Sequence, residues 1–203
     1  MSGGASASDR RSGRDRVWRF AMGVILLKRL RVDLSSIHDF CEQYKRFDLP
    51  AVAPAPSGRR HFKETYRGQT RVTSGKDSAS YSASTAIYYM LQGREKSTWH
   101  RIASDEMWHF YEGMPIRIYV LEPDGSLKVL RLGNPLRHDG ASFQALVPAG
   151  QWFAAECEDH EGFGLVGCTV APGFEFQDFE IADKSFLEQH WPEHVELIAR
   201  LVQ

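Results

Sequence analysis

A series of short apolar or alternating runs, separated by turn signals, is the feature of this sequence that most constrains its fold. Runs of four to eight residues with alternating hydrophobicity are typical of β-strands. Clusters of Gly, Pro, Asn and Asp, such as Pro123-Asp124-Gly125, separate them. Many short strands at this spacing predict a mainly β protein in which two sheets pack together, as in a jelly roll. The predicted strands are His61–Tyr66, Ala86–Leu91, Ser97–Ile102, Trp108–Tyr111, Ile116–Leu121, Leu127–Leu132, Phe143–Val147, Trp152–Glu156 and Gly164–Thr169.

The start of the chain has a different composition. Residues 1–33 are basic and contain few apolar side chains up to Arg16, so we predict a largely disordered extension. From Ser35 onward, apolar residues recur every three or four positions, which predicts a helix that ends near Phe47. The segment Leu49–Arg59 holds three prolines and a glycine and is predicted to be a loop.

The end of the chain carries a second helical pattern. Apolar residues from Lys184 onward recur at helical spacing on both sides of Pro192. This pattern predicts one or two short helices, which close the barrel or cover the edge strand of a partner. We therefore predict that residues 34–203 form a single domain.

Charge and hydrophobicity exclude two classes of partner. Residues 1–31 carry eight basic and two acidic side chains, so the rest of the chain has a net charge of −7. Nucleic-acid binding depends on many Lys and Arg contacts to phosphate, so we expect no nucleic-acid partner. The longest apolar run, Phe20–Leu27, is far shorter than the roughly 20 residues of a membrane helix, so we expect no membrane association.

The cysteines indicate the compartment. Cys41, Cys157 and Cys168 are odd in number and lack zinc spacing, which indicates neither a disulfide framework nor a structural metal site. A reducing, cytoplasmic location fits this usage, and mitochondrial targeting by the basic N-terminus is the alternative. Because Cys168 lies in an apolar run, we expect it to behave as a small buried side chain rather than as a nucleophile.

Five segments carry a family resemblance. They are ETYR at 64–67, TAIYYML at 85–91, WHRIASDEMWHFYEG at 99–113, VPAGQWF at 147–153 and VGCTVAPGFEF at 166–176. Together they resemble the cupin-5 family (DUF985), a part of the RmlC-like cupin superfamily. The resemblance implies a double-stranded β-helix, the cupin jelly roll, joined here to an N-terminal helix and short C-terminal helices. It implies no particular activity, because one fold hosts many functions.

The resemblance also supplies a metal-ligand pattern. Cupins that bind metal usually place three His and one Glu inside the barrel. In the corresponding positions this chain has His100 and Glu106, but also Ile102 and Phe153, which cannot coordinate a cation. We therefore expect no metal and no other cofactor. His109 is an odd number of residues from Glu106 and faces the other side of a regular strand, so only a bulge would let it complete a non-standard site.

His100 and Glu106 are the candidate catalytic residues. An ionisable pair inside an apolar barrel costs desolvation energy unless it is paired, solvated or used. A His beside a carboxylate suits a general base, since the carboxylate fixes the tautomer and stabilises the imidazolium. The alternative is a structural hydrogen bond between the two side chains.

A further set of side chains is predicted to bind a ligand. Large aromatic faces with a few polar groups are typical of small-molecule sites. The alternative for the aromatic members is a place in the hydrophobic core, and for Glu64 an exposed ion pair with Arg67. The set is Trp99, Trp108, Phe110, Gln144, Trp152, Phe153 and Glu64.

Two functions stay open at this point. The first is the binding of a small carbohydrate- or nucleotide-related ligand with metal-free acid–base chemistry by His100 and Glu106. Epimerases of the RmlC class share the barrel and use a His base without metal, but the RGLH-like segment typical of sugar epimerases is absent from this sequence. The second is a non-catalytic, ligand-binding or structural cupin. A metal-dependent isomerase or dioxygenase is disfavoured by Ile102 and Phe153. In each case the edge strands of the sheets predict a homodimer.

Overall fold

The computed structural model describes residues 51–55, 58–73 and 79–202, and antiparallel strands form most of them. The strands are β1 (Ala51–Ala55), β2 (Gly58–Arg67), β3 (Arg71–Thr73), β4 (Ser80–Ser82), β5 (Thr85–Gln92), β6 (Lys96–Arg101), β7 (Asp105–Gly113), β8 (Ile116–Leu121), β9 (Leu127–Leu132), β10 (Gln144–Val147), β11 (Trp152–Cys157), β12 (Phe163–Ala171) and β13 (Glu180–Ile181). Two helices follow, α1 (Lys184–His190) and α2 (Val195–Leu201), and short 3₁₀ turns span Phe176–Asp178 and Pro192–His194.

The strands form two main sheets with the topology of a jelly roll. One sheet has six strands in the order β1-β2-β5-β12-β7-β10, and the other has five in the order β13-β6-β11-β8-β9. A small ribbon of β3 and β4 stands apart from both. The predicted mainly β jelly roll with short C-terminal helices is therefore confirmed. The predicted extension 1–33 and the helix that begins near Ser35 lie outside the described residues.

Strict alternation along the strands builds the core between the two sheets. In β8, Ile116, Ile118 and Val120 are fully buried at every second position. They meet Trp108 of β7 and Phe153 of β11, together with aliphatic residues of β9, β10 and β12. Side chains two apart on a strand share a face, so this period places one apolar row from each strand in the interior.

The prediction of a loop over Leu49–Arg59 is wrong for part of this segment. Residues Ala51–Ala55 form β1, which pairs antiparallel with β2 through a shifted register between Val52 and Ala55. β1 is an edge strand, and an edge position tolerates Pro54 because its missing N–H need not serve a second neighbour. The proline-rich segment therefore makes an irregular edge strand.

β7 is longer than the predicted Trp108–Tyr111. It starts at Asp105, because its backbone pairs with β12 on one side and with β10 on the other. In the pairing with β12, Asp105 lies opposite Ala171. Polar side chains concealed this extension in the sequence, since hydrophobic alternation begins only after Glu106. The longer strand brings Glu106 into the sheet.

The C-terminal helices cover the outer face of the five-stranded sheet rather than the end of the barrel. Leu187 of α1 and Ile198 and Leu201 of α2 are fully buried against a cluster that contains Trp99 and Trp152. Asp183 caps α1, since its side chain accepts a hydrogen bond from the Phe186 backbone N–H at 2.9 Å. In the described part of the chain no helix has the length and apolar character that crossing a membrane requires.

Replacing Leu187 with Ala tests this cover. We expect a loss of about 2–5 kcal/mol in the free energy of unfolding, because the substitution leaves a cavity beneath α1. Urea denaturation followed by Trp fluorescence measures it. The matched control is Leu136→Ala, at a residue that is 86% exposed, which should cost less than about 0.5 kcal/mol. Equal losses for the two variants would contradict the packing described for α1.

Candidate functional site

Residues of both sheets line a cavity of about 320 Å³. Strands β2, β5, β7 and β12 supply one wall, β6 and β13 supply the other, and the segment between β12 and β13 lies at the mouth. Most of the lining is aromatic or aliphatic: Phe62, Ile87, Tyr89, Ile102, Trp108, Val170, Phe174, Phe176, Phe179 and Ile181. The polar lining residues are Glu64, Arg67, Thr85, Ser97, His100, Glu106 and Cys168.

A bulge in β6 brings Ser97 and His100 to the same wall. The two residues are an odd number of positions apart, so on a regular strand they would face opposite sides. Opposite β11, however, His100 pairs with Phe153 and Ser97 pairs with Ala155, which leaves one extra residue in β6. A bulge of this kind re-aims side chains, and it directs both polar groups into the cavity.

A backbone carbonyl orients His100. Nδ1 lies 2.7 Å from the carbonyl oxygen of Thr98, and because a carbonyl only accepts, Nδ1 carries the hydrogen. In the neutral ring the lone pair is then on Nε2. The ring is 7% exposed and packs on Phe153 and Phe179, at centroid distances of 4.0 and 5.1 Å. Thr98, rather than Glu106, therefore fixes the tautomer of His100.

Glu106 is a buried carboxyl group, and no residue of the described ranges is its counter-ion. It is 8% exposed, and it forms no ion pair or hydrogen bond with His100 or with any Lys or Arg in the described ranges. Burial raises the pKa of Glu106 to about 7, although the Cys168 thiol and the Trp108 indole N–H, as donors, lower it. The Trp108 N–H forms no hydrogen bond of standard geometry within the described residues. Glu106 therefore changes its charge near neutral pH.

Cys168 acts as a neutral neighbour of this carboxyl. It is 2% exposed and pairs with Trp108 across β12 and β7. Burial, and secondarily the charge of Glu106, raise the pKa of the Cys168 thiol well above its ordinary value. The thiol therefore stays protonated, as expected for a small buried side chain, and offers its S–H to the carboxylate.

An ion cluster closes one side of the mouth. Arg67 donates from Nε and Nη2 to the two oxygens of Glu64, at 3.1 and 2.8 Å, and from Nη1 to Glu175 at 2.8 Å. Nη2 also donates to the carbonyl oxygen of Phe174 at 3.2 Å. Of the two alternatives for Glu64, the ion pair with Arg67 is present, and it lies at the rim of the cavity.

Aromatic side chains of the segment after β12 form the rest of the mouth. The Phe174 backbone N–H donates to Oγ1 of Thr85 at 2.9 Å, and Gly173 N–H donates to the carbonyl oxygen of Ser82 at 2.8 Å. A Cβ on Gly173 would lie 3.0 Å from both Ser82 and Thr85, a tight contact, so Gly suits this close approach of the segment to β4 and β5. The Phe174 ring then lies 6.2 Å from that of Phe179.

The structure brings four of the predicted site residues to the cavity and separates the others. His100, Glu106, Trp108 and Glu64 line it. Trp99 and Trp152 lie on the opposite face of the five-stranded sheet, beneath the C-terminal helices, because each immediately neighbours an inward-facing residue. Phe153 is fully buried behind His100 in the core. Phe110 packs against that core, and Gln144 is exposed beside a shallow groove that Phe110 also lines.

Comparison with known proteins identifies the family of this double sheet. The family model described as Cupin superfamily (DUF985) matches residues 51–182, more than half of the chain. The chain belongs to the DUF985 family of cupins. The resemblance that its sequence motifs indicated is thereby confirmed. No curated protein matches the chain.

Two solved structures resemble this cupin over most of their length. A protein from Shewanella oneidensis is 32% identical with a TM-score of 0.68, and the match covers 80% of this chain and 96% of that one. A hypothetical protein from Leishmania major is 27% identical with a TM-score of 0.69, and the match covers 78% and 96% of the two chains. Both share the fold, and neither name states an activity.

Many cupins hold a metal ion, and the donor set of this cavity does not fit one. Ile102 lines the cavity at one ligand position, and Phe153 at another packs behind His100. His109 faces the outside of the six-stranded sheet, where Gln144 Nε2 donates to its Nδ1 and its Nε2 donates to Thr169 Oγ1, both at 3.1 Å. Within residues 51–55, 58–73 and 79–202, no group of three or more His, Cys, Asp or Glu could hold a metal ion.

Several lining residues escaped the sequence analysis. Ile87 and Tyr89 of β5, and Cys168 and Val170 of β12, line the same wall at alternate positions. The period-2 pattern in TAIYYML and VGCTV was the signal for them. Phe174 and Phe179 carried a weaker signal, because a segment between strands has no period from which to infer the direction of its side chains.

Glu106→Gln tests the burial of this carboxyl through pH-dependent stability. Its pKa is raised from 4.5 to about 7, so the unfolded chain loses this proton at lower pH than the folded one. The wild type should lose about 3 kcal/mol between pH 4.5 and 7 through this group, and the variant should not. Urea denaturation across this range measures the difference. The exposed Glu193→Gln should behave as wild type, and the same pH dependence in Glu106→Gln would contradict the assignment.

Proposed function

We propose that this cupin binds a small organic molecule in the cavity and exchanges protons with it through His100 and Glu106. The observation that carries the proposal is the buried carboxyl of Glu106, which faces an aromatic-lined space of about 320 Å³ and has no counter-ion among the residues that the structure describes. A fold gains nothing in stability from an unpaired buried charge. Titratable groups with strongly perturbed pKa values in a cleft are typical of functional sites.

The two side chains have complementary properties for proton transfer. His100 carries its lone pair on Nε2 in the neutral ring, because Nδ1 donates to Thr98. Glu106, with a pKa of about 7, is present in both protonation states at neutral pH. General acid–base catalysis is most effective when the pKa of the group lies near the working pH. This pair can therefore accept and donate protons without a metal ion.

The mouth of the cavity gives no support to the nucleotide-related part of the sequence expectation. A phosphate needs Arg or Lys donors, and Arg67 is the single cation among the described lining residues. The Arg67 guanidinium already donates hydrogen bonds to two carboxylates and a carbonyl oxygen. The proposed ligand is therefore a small organic molecule that is uncharged or positively charged.

A cytoplasmic location is also part of the proposal. Cys157 and Cys168 are free thiols, which fits a reducing compartment.

Ligand-observed NMR with a set of small organic fragments tests the binding site. Val170→Phe places a ring in the cavity and should abolish saturation transfer to any fragment that binds the wild type, because Val170 lines the wall beside Glu106. The neighbouring Thr169 faces the outside of the same strand, so Thr169→Phe is the matched control and should keep binding. Undiminished binding to a folded Val170→Phe would contradict the proposal.

Deuterium exchange tests the proton transfer. For a bound fragment with a C–H next to a carbonyl, the wild type in D₂O should catalyse deuterium incorporation at that carbon. His100→Ala and Glu106→Gln should each lower the rate by about 10²–10⁴-fold, while fragment binding persists. Exchange at the wild-type rate in both variants would contradict the role of His100 and Glu106. A wild type that binds the fragment but does not speed exchange above the rate in buffer would favour the second candidate, a cupin that binds without catalysis.

We further propose that the chain forms a homodimer through the outer face of the six-stranded sheet. Helices cover the other sheet, but this face leaves Tyr88, Tyr111 and Leu146 at 37%, 49% and 42% exposure. Tyr88 and Tyr111 stack edge to face at a centroid distance of 5.7 Å. An aromatic patch of this kind is typical of an interface between subunits.

Light scattering tests the dimer. We expect a mass of about twice the 23.1 kDa of the chain at micromolar concentration. Tyr111→Lys places a charge in the patch and should return the mass to that of the monomer. Val129 is also 49% exposed but lies on the other sheet, so Val129→Lys should leave the dimer intact. A monomeric wild type would contradict this proposal.

A further inference from the structure

Among the described residues, the rim of the cavity offers no free positive charge to a ligand. Arg67 uses Nε, Nη1 and Nη2 to bind Glu64, Glu175 and the carbonyl oxygen of Phe174. With one guanidinium between two carboxylates, this cluster carries a net charge of about −1. An anionic ligand would meet repulsion at the rim and would find no partner there.

Among the described residues, the interior contributes the Glu106 carboxyl and no Lys or Arg; the other titratable groups that face it include His100, whose Nδ1 donates to Thr98, and the Cys168 thiol. Glu106 is 8% exposed and faces the cavity, and the donors beside it, the Cys168 thiol and the Trp108 N–H, are both neutral. A carboxylate in a low-dielectric site interacts strongly with any cation that reaches it, because water does not screen the pair. A ligand with an N⁺–H group would supply a positive charge that the described residues around Glu106 do not.

The walls are suited to the apolar part of such a ligand. Tyr89 and Trp108 meet edge to face at 5.8 Å, and Phe174 and Phe179 stand at the mouth. The faces of aromatic rings attract cations, Trp most strongly, through the ring quadrupole. A carboxylate surrounded by aromatic rings therefore favours organic ammonium ions over neutral molecules of the same shape.

We infer that the cavity selects small organic cations, with the ammonium group against the Glu106 carboxylate and the apolar body against the aromatic walls. The inference rests on the proposed ligand-binding function and adds the charge class of the ligand. It also fixes the direction of the pH effect. A cation requires ionised Glu106, so its affinity rises with pH, whereas a neutral ligand that accepts a hydrogen bond from protonated Glu106 binds less tightly as the pH rises.

Three probes of matched shape test this inference: benzylamine, which is protonated at neutral pH, benzyl alcohol and benzoate. Each consists of one ring and a short substituent, and calorimetry at pH 6 and pH 8 measures the dissociation constants. Because the pKa of Glu106 is about 7, benzylammonium should bind about tenfold more tightly at pH 8 than at pH 6. Benzyl alcohol should bind at least tenfold more weakly than benzylammonium at pH 8, and benzoate should not bind.

Variants assign the selectivity to Glu106. Glu106→Gln keeps the shape and removes the charge, so it should weaken benzylammonium at least tenfold at pH 8 and change benzyl alcohol by less than about threefold. Glu193→Gln, at an exposed glutamate, is the control and should change neither. The pH dependence of the wild type gives the same information if Glu106→Gln does not fold.

The outcomes separate this inference from the proposed function. If benzyl alcohol binds as tightly as benzylammonium, or if benzoate binds best, the inference is overturned while ligand binding in the cavity stands. If benzylammonium binds without the rise between pH 6 and pH 8, the inference is overturned as well. If none of the three probes binds and fragment binding also fails, both proposals are overturned.

Discussion

The desolvation of the Glu106 carboxyl group sets the chemistry of the cavity. Its strand, β7, is hydrogen-bonded to β12 on one side and to β10 on the other, which fixes the side chain in the interior. The described residues beside it supply neutral donors and no Lys or Arg, so burial raises the pKa of Glu106 to about 7. The proton-transfer proposal and the cation proposal are two consequences of this one constraint. Both depend on a buried carboxyl group that has no charge partner in the described part of the chain.

The cavity of this chain lies at the positions from which metal-binding cupins supply their ligands, but apolar side chains fill two of those positions. Ile102 contributes an apolar wall and Phe153 supports the ring of His100, whose Nδ1 bonds to Thr98. With Ile102 and Phe153 at these two positions, His100 and Glu106 are not part of a donor group that could hold a metal ion among the described residues. The same two residue types therefore act as separate groups in one aromatic space, which favours organic ligands over metal coordination.

Most of the fold could be predicted from the sequence, because alternating hydrophobicity and the turn residues between the runs indicate the strands. The site could be predicted only in part. Both candidate catalytic residues line the cavity, but Trp99 and Trp152 do not, since a residue next to an inward-facing one must point away. Pairing partners set the start of β7, and the bulge in β6 depends on the register with β11. The start of β7 and the bulge in β6 have no local signal in the sequence. Both determine which side chains reach the cavity.

A carboxyl ¹³C NMR titration of Glu106 tests the central claim most directly. The resonance is assigned by its loss in Glu106→Gln, and its shift is followed from pH 3 to pH 9. The account predicts a midpoint near 7, which a bound organic cation lowers. A midpoint near the ordinary 4.5 would contradict it, because the carboxylate would then be solvated or already paired with a cation.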